Sequence, residues 1–434
     1  MSDGARQVEW DRQGVLRAIL DPVPLPLMAS IRQRFEDNGI RDIPAVVAEE
    51  MARPEIAASV RPGMSIAVTA GSRGIAHIAV ILREIISAVR ARGAHPFVFP
   101  AMGSHGGATH EGQRLLLEGY GITESSVGAP IRATMETRVI GTTEQGYPVH
   151  MDRFAAEADG IIVVGRIKPH TAFHGTYESG LMKMMAIGMG KQKGAETCHA
   201  AGFGKFGHII PSFGRTVLKN AKILFGVGIV ENSLDETCRI EAIAAAAIES
   251  REPPLLAEAR RLMPAIPFAQ FDILVVDTIG KNFSGDGADP NVTGTYCTPY
   301  ASGGPRIQRY VVLDVSEESH GNSLGVGMAD ITTARLVGKT DYDAMYSNSL
   351  TSRVLGNIRI PMVMKSDRLA LQAAIFTCID IDVLRPRIVR ISNTSHIGTL
   401  AVSEALLEEA RANPAIEVLE SPRALAFNKE GNLF

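Results

Sequence analysis

The residues most able to do chemistry in this chain are four histidines and one lysine: His105, His170, His174, His199 and Lys183. An imidazole changes charge near neutral pH, so it can take and return protons, and in its neutral form it ligates transition metals. His105 stands in Gly103-Ser104-His105-Gly106-Gly107, where glycines let backbone approach a ligand closely and leave the ring uncrowded. The plainer alternative is a loop histidine that bonds backbone and does nothing more. Ser72-Arg73, between Gly71 and Gly74, offers a guanidinium fork at an expected helix entrance, suited to a carboxylate or phosphate. Lys183 lies in Leu181-Met182-Lys183-Met184-Met185-Ala186-Ile187, apolar company that depresses an amine pKa and favours a nucleophilic or covalent role. Its alternative is an aliphatic stem laid over the methionines with the charge in water.

His170 and His174 have the spacing of a helical metal pair, but Pro169 and Gly175 argue against a helix, and no HExxH signature is present. His199 follows Thr197-Cys198 and is a candidate metal ligand or a structural histidine. Between residues 166 and 199, five basic side chains (Arg166, Lys168, Lys183, Lys191, Lys193) face two carboxylates (Glu178, Glu196). This local excess of +3 in a chain of net charge −3 points to an anionic ligand, with a solvated basic face as the bland reading.

These side chains need elements to carry them. Residues 64–70 (MSIAVTA) read as a buried strand, and Ile75, Ile78, Leu82, Ile85, Ile86 and Val89 recur at helical spacing before Gly93. Residues 96–100 read as the next strand, followed by the His105 loop and a helix from about Thr109. Strands are also expected at 160–165, 221–230, 271–277, 310–315 and 387–391, with helices at 241–250, 366–375 and 402–412. Strand–loop–helix alternation implies an α/β fold, two domains with largely parallel sheets flanked by helices. Ligands of such sheets bind beyond the strands' carboxyl ends, where the loops of Arg73, His105 and His170 fall. The expected division is residues 1–266, with 416–434 as a candidate return to them, and residues 267–415 closing an interdomain cleft.

Bulk properties narrow the class. At 434 residues the chain exceeds one ordinary core. Its net charge gives no general attraction to nucleic acid or an anionic membrane, and no apolar run is long enough to span one. The four cysteines, Cys198, Cys238, Cys297 and Cys378, form no CxxC pair, which fits a reducing cytoplasm.

The motif order resembles the lactate racemase superfamily, the nickel-pincer-nucleotide-dependent racemases and epimerases of 2-hydroxy acids. Its members carry a Thr-Arg pair after the first strand, a Gly-Thr-His loop, a Pro-His…Ser-Gly-Gly-x-Lys segment and a histidine sixteen residues beyond that lysine. The matches are Ser72-Arg73, Gly103-Ser104-His105, Pro169-His170, the run from Ser179 to Lys183, and His199, sixteen residues after Lys183. They span about residues 70–200. Departures are Ala70 where lactate racemases have an acidic residue, Leu181 for the second glycine, and three extra residues between Pro-His and Ser-Gly. The Tyr-Gln-x-x-Lys segment of the second domain is missing; Lys281, in the glycine-rich stretch 280–291, is the nearest candidate to reach the cleft, or else a solvated turn lysine.

The resemblance implies an isomerase of small hydroxyacids, served by cofactor-biosynthesis proteins. Lys183 would attach the nickel-pincer nucleotide covalently, His199 would complete the nickel's ligands, and Ser72, Arg73 and Ser179 would border the cofactor. His105 and His170 would be bases on opposite faces of the substrate, with His174 a rival to His170. The departures point to a hydroxyacid other than lactate, larger or a sugar acid. Two readings from other classes compete. One is a zinc hydrolase on His170, His174 and His199; the other is a non-catalytic binder of an anionic small molecule.

Overall fold

The computed structural model describes residues 14–434. By backbone contacts the chain separates into two compact units: Glu36–Met263, and Pro264–Phe434 together with residues 14–35. Each is built on a largely parallel sheet with helices on its faces. The first strand, β1 (Met28–Gln33), belongs to the later unit, where it pairs antiparallel with residues 399–403 and 416–418. The expected grouping of residues 1–266, with 416–434 returning to them, is corrected accordingly. Ladder pairing joins segments far apart in sequence, and no local periodicity announces the partner.

In the unit Glu36–Met263 the strands are β2 (Ser65–Ala70), β3 (His95–Pro100), the hairpin β4 (Thr137–Thr142) and β5 (Pro148–Asp152), β6 (Gly160–Arg166), β7 (Ile223–Glu231) and β8 (Thr237–Ala244). The main sheet has the order β3-β2-β6-β7-β8, parallel except for β8. Alternation along each strand sends side chains to opposite faces. Ile66, Val68, Ala70, Val98, Ile162 and Val164 pack with the helix Ile78–Ala91. In that helix Ile81, Leu82, Ile85, Ile86 and Val89 are all but fully buried, each worth about 1.5–3 kcal/mol of transfer free energy. Ala67, Phe97, Phe99, Ile161 and Val163 face the other way, onto the segment that carries Met182, Met185 and Phe206. The segment that carries Lys183 therefore packs on one face of this sheet.

The alanine-rich stretch 241–250, expected to be helical, instead supplies the end of β8, and a helix runs only from Ile248–Leu262. Ile240, Ala242 and Ile243 are buried against β7, and that pairing overrides a weak local preference.

The later unit contains β9 (Ile273–Ile279), β10 (Arg309–Val315), β11 (Ile331–Thr333), β12 (Met362–Met364), β13 (Ile388–Ile391), β14 (Thr399–Ser403) and β15 (Ile416–Val418). Their order is β12-β11-β10-β9-β13-β14-β1-β15, parallel as far as β13 and antiparallel beyond it. The expected helix at 402–412 is confined to Leu407–Ala412, because β14 is paired on both of its edges. Among the described residues no helix is long and apolar enough to cross a membrane.

Candidate functional site

The His105 loop follows β3 and turns through Gly103, Gly106 and Gly107, with φ of 58°, 66° and 64°. These left-handed values favour glycine. At Gly106 a Cβ would also meet the carbonyl carbon of Gly112 at 2.5 Å. The exposed His105 ring has its Nδ1 2.7 Å from the Met102 carbonyl oxygen. A carbonyl can only accept, so Nδ1 carries the proton and Nε2 bears the lone pair of the neutral ring. That is the tautomer a general base needs.

A buried polar network braces the loop from outside. Gln113, on the next helix (His110–Gly119), donates from Nε2 to the carbonyls of Gly103 (2.9 Å) and His105 (3.2 Å). Its Oε1 accepts from Lys191 Nζ at 2.9 Å, and Lys191 also donates to the Pro100 carbonyl at 2.6 Å. Lys191 pairs with Asp152 at 3.2 Å, and both side chains are 0% exposed. Burial pushes the Asp152 carboxyl up and the Lys191 ammonium down, and their mutual attraction opposes both shifts. Asp152 further caps the helix Arg153–Glu157 by accepting from the N–H groups of Phe154 and Ala155.

This corrects the charge count for residues 166–199. Lys191 is spent on Asp152, and Arg166 is paired with Glu231. Neither is part of a surplus awaiting an anion.

The loop after β2 carries Ser72, half-buried, and Arg73, exposed. Tyr120 Oη donates to the Ser72 carbonyl at 3.0 Å, and the Ala76 N–H donates to Glu231 at 2.6 Å. The helix opens only at Ile78, so Arg73 lies on the loop rather than in the first helical turn. Glycines bring this loop and its neighbours close to the Lys183 segment. A Cβ on Gly71 would stand 3.1 Å from Met184 Cε, and the Gly103 N–H donates to the Gly188 carbonyl at 3.2 Å.

The third loop leaves β6 and is closed by reciprocal backbone bonds between Lys168 and Ser179, of 2.9 and 3.2 Å. Inside it Glu178, fully buried, accepts from the backbone N–H of His170 (2.7 Å) and Gly175 (2.9 Å) and pairs with Arg260. The turn around His170 is thus irregular, in keeping with Pro169 and Gly175. The Ala172 N–H donates to His170 Nδ1 at 3.0 Å. The His170 ring packs on Phe173, with centroids 4.5 Å apart, and lies 5.9 Å from Phe203. His199, in the helix Lys191–Ala200, lies 5.4 Å from Phe203 and 5.3 Å from Phe206. One aromatic cluster therefore supports both rings.

Burial holds the His170 pKa well below the usual histidine value, and the positive charges of Lys183, His199, Lys168 and Arg73 add to the shift. Side chains from two loops and two helices act on one imidazole. His174, half-buried, is in the same loop as His170.

Lys183 ends the short helix Leu181–Lys183, which runs into a π turn, Met184–Gly188, a geometry that is frequent at functional sites. Glu252, on the helix Ile248–Leu262, caps this segment: its Oε2 accepts from the Met182 N–H at 2.8 Å, and Leu181 also donates to the carboxyl. Burial raises the Glu252 carboxyl from 4.5 to about 7. A Cβ on Gly180 would collide with this carboxyl, which accounts for the glycine there. Cys198 is buried with its thiol pushed up to about 12, a protonated neighbour rather than a thiolate ligand.

In the later unit, Lys281 donates from Nζ to the Gly285 carbonyl at 2.7 Å, and its N–H donates to Ser319 Oγ at 2.8 Å. Among the described residues no three His, Cys, Asp or Glu side chains are grouped to hold a metal ion. His170, His174 and His199, the ligands of the zinc hydrolase reading, are not such a group.

Sequence reasoning passed over Gln113, Asp152 and Glu252 and counted Glu178 only as a charge. Glu178, inside a basic glycine-rich segment, was the one with a local signal. Asp152 and Glu252 act on residues far from them in sequence, and Gln113, only 8 residues from His105, shows its role once the loop folds back on its helix.

Residues 28–206 match the family model described as the lactate racemase N-terminal domain, which bears out the resemblance over that segment. A solved structure, the lactate racemase apoprotein from Thermoanaerobacterium thermosaccharolyticum, is 11% identical with a TM-score of 0.45, covering 85% of this chain and 89% of its own. No curated protein sequence matches the chain.

Proposed function

We propose, from the premise that residues 28–206 carry a lactate racemase N-terminal domain, that this protein is a racemase or epimerase of a 2-hydroxy acid working with a nickel-pincer nucleotide. The observation that carries the reading is the shared aromatic cluster that holds His170 and His199 together, where the charges of Lys183, Lys168 and Arg73 also act on His170. The donor set suits a metal that arrives already bound in a cofactor, since a single imidazole then completes its ligands. Lys183 would hold the group covalently and His199 would supply the nickel ligand, with Ser72, Arg73 and Ser179 beside them. When bound, that group would supply an acceptor and donor of hydride for the substrate's C2.

The remaining work belongs to the protein. His105, with the lone pair on Nε2, takes the proton of the 2-hydroxyl and gives it back. A base on the opposite face, from His170 or His174, serves the other enantiomer. The cationic surroundings of His170 favour the substrate carboxylate. Cofactor-biosynthesis proteins supply the nucleotide in the cytoplasm, and the substrate is a hydroxyacid larger than lactate or a sugar acid.

The test is to co-produce the protein with a nickel-pincer pathway, measure its intact mass, and screen single-enantiomer hydroxyacids by chiral analysis. The reading expects an adduct that maps to Lys183 and inversion at C2 of one substrate class. Active protein without an adduct at Lys183 would exclude it.

A further inference from the structure

We infer that His170 meets the substrate as a neutral imidazole donating its Nε2–H to a carboxylate oxygen, and is not the base that removes the hydroxyl proton. The inference rests on the racemase reading of this site and assigns one of its residues a different task.

The argument starts from two hydrogen bonds of opposite sense. His105 Nδ1 faces a carbonyl, which has no proton to give, so that nitrogen is protonated. His170 Nδ1 faces the Ala172 N–H, which can only donate, so that nitrogen holds the lone pair. The one proton of a neutral His170 ring therefore sits on Nε2. A nitrogen already protonated has no lone pair for a hydroxyl proton. Moving the ring's proton to Nδ1 would set two N–H groups against each other and break the bond to Ala172.

The turn that imposes this tautomer is clamped. Glu178, buried and paired with Arg260, takes the N–H groups of His170 and Gly175, fixing the backbone on both sides of Ala172. Phe173 packs against the ring at 4.5 Å and resists a flip. A doubly protonated ring would place a further cation beside Lys183, Lys168, Arg73 and His199, which the burial of the site also disfavours. What remains is a neutral donor in a cationic setting, a combination that binds a carboxylate without competing for its proton. Of the two candidates for the second base, His174 is then the one left.

Histidine-15N-labelled apoprotein tests the assignment without cofactor or substrate, because protonated and bare ring nitrogens resonate far apart. His105→Gln and His170→Gln assign the two rings. The expected spectrum has His170 protonated on Nε2 alone and unchanged between about pH 5 and 8, with His105 in the opposite tautomer. A proton on His170 Nδ1 at neutral pH, or titration of its ring within that range, overturns the inference.

In loaded enzyme, His170→Gln keeps an N–H donor, so it should hold kcat within about tenfold while raising KM. His105→Gln should lower kcat by about a hundredfold or more. Equal losses of kcat in the two variants would return His170 to the role of base. If the spectra are as expected but loaded protein inverts no hydroxyacid, the donor tautomer stands and the racemase reading alone fails.

Discussion

Two glycine-rich loops, at residues 101–108 after β3 and 280–289 after β9, look alike in sequence and are held in opposite ways. The second is tied by its own side chains, to itself and to neighbouring segments. Gly280 and Gly287 bond to each other at 2.8 Å, and Lys281 Nζ closes on the Gly285 carbonyl. Asn282 Oδ1 accepts from Ser316 Oγ at 2.7 Å, and Asp286 accepts from Asn357 at 3.1 Å. Lys281, Asn282 and Asp286 are thus engaged in holding its shape. The first loop is braced from outside, by Gln113 on its backbone carbonyls and by Lys191 on Gln113 and on the Pro100 carbonyl just before it, and its histidine ring stays exposed. Glycine content says only that a chain can bend. Which groups satisfy the bent backbone decides whether side chains are left to meet a ligand.

The largest expected effect strikes the outside brace. Lys191→Met leaves Asp152 buried without its cation and should cost about 3–5 kcal/mol in urea unfolding, whereas Lys191→Met with Asp152→Asn should recover much of it. A single variant as stable as the parent would mean that the pair does not brace the loop.

Glu252 gives Lys183 the same kind of outside support and can be read through pH. Its native carboxyl lies at about 7 against 4.5 unfolded, so the folded state binds the proton more tightly between those values. Stability from this group is therefore fully present below about pH 4.5 and lost as pH rises to 7, by about 3 kcal/mol. Unfolding midpoints across that range should show the loss, and Glu252→Gln should remove this group's share of the slope. A slope unchanged in the variant would show that the carboxyl is not the titrating group.

The two loops should agree in their need for glycine. Gly106→Ala and Gly287→Ala place a Cβ at φ of 66° and 75°, against the Gly112 backbone and the Leu324 carbonyl respectively. About 2 kcal/mol of lost stability is expected from each, as a lower bound. If only one were sensitive, the loops would differ in backbone strain as well as in bracing.

The smallest effect separates Lys281 from the site lysine. Lys281→Ala removes the hydrogen bond to the Gly285 carbonyl, worth about 1 kcal/mol, and calorimetry should find a change of that order. A loss of several kcal/mol would mean that Lys281 organises more than its own turn.

Much of the architecture was legible from spacing. Ile78, Leu82, Ile85, Ile86 and Val89 marked the helix that packs on β2, and the apolar run ending at Ala70 marked that strand. The stretch 241–250 misled because alanine and isoleucine serve a strand as readily as a helix once β7 is alongside. Lys191 misled in another way. Its ammonium was counted toward a ligand, while its partners, Pro100, Gln113 and Asp152, lie 91, 78 and 39 residues earlier in the chain.

The amino-acid sequence alone determined which side chains could do chemistry, in what order along the chain, and on which loops. Only the tertiary structure decided what each does: that Lys191 is internal, that Glu252 supports Lys183, and that His105 and His170 hold their protons on different nitrogens. A side chain's type is local, but its proton and its charge are set by whichever group folding places against it and by how much water is left there.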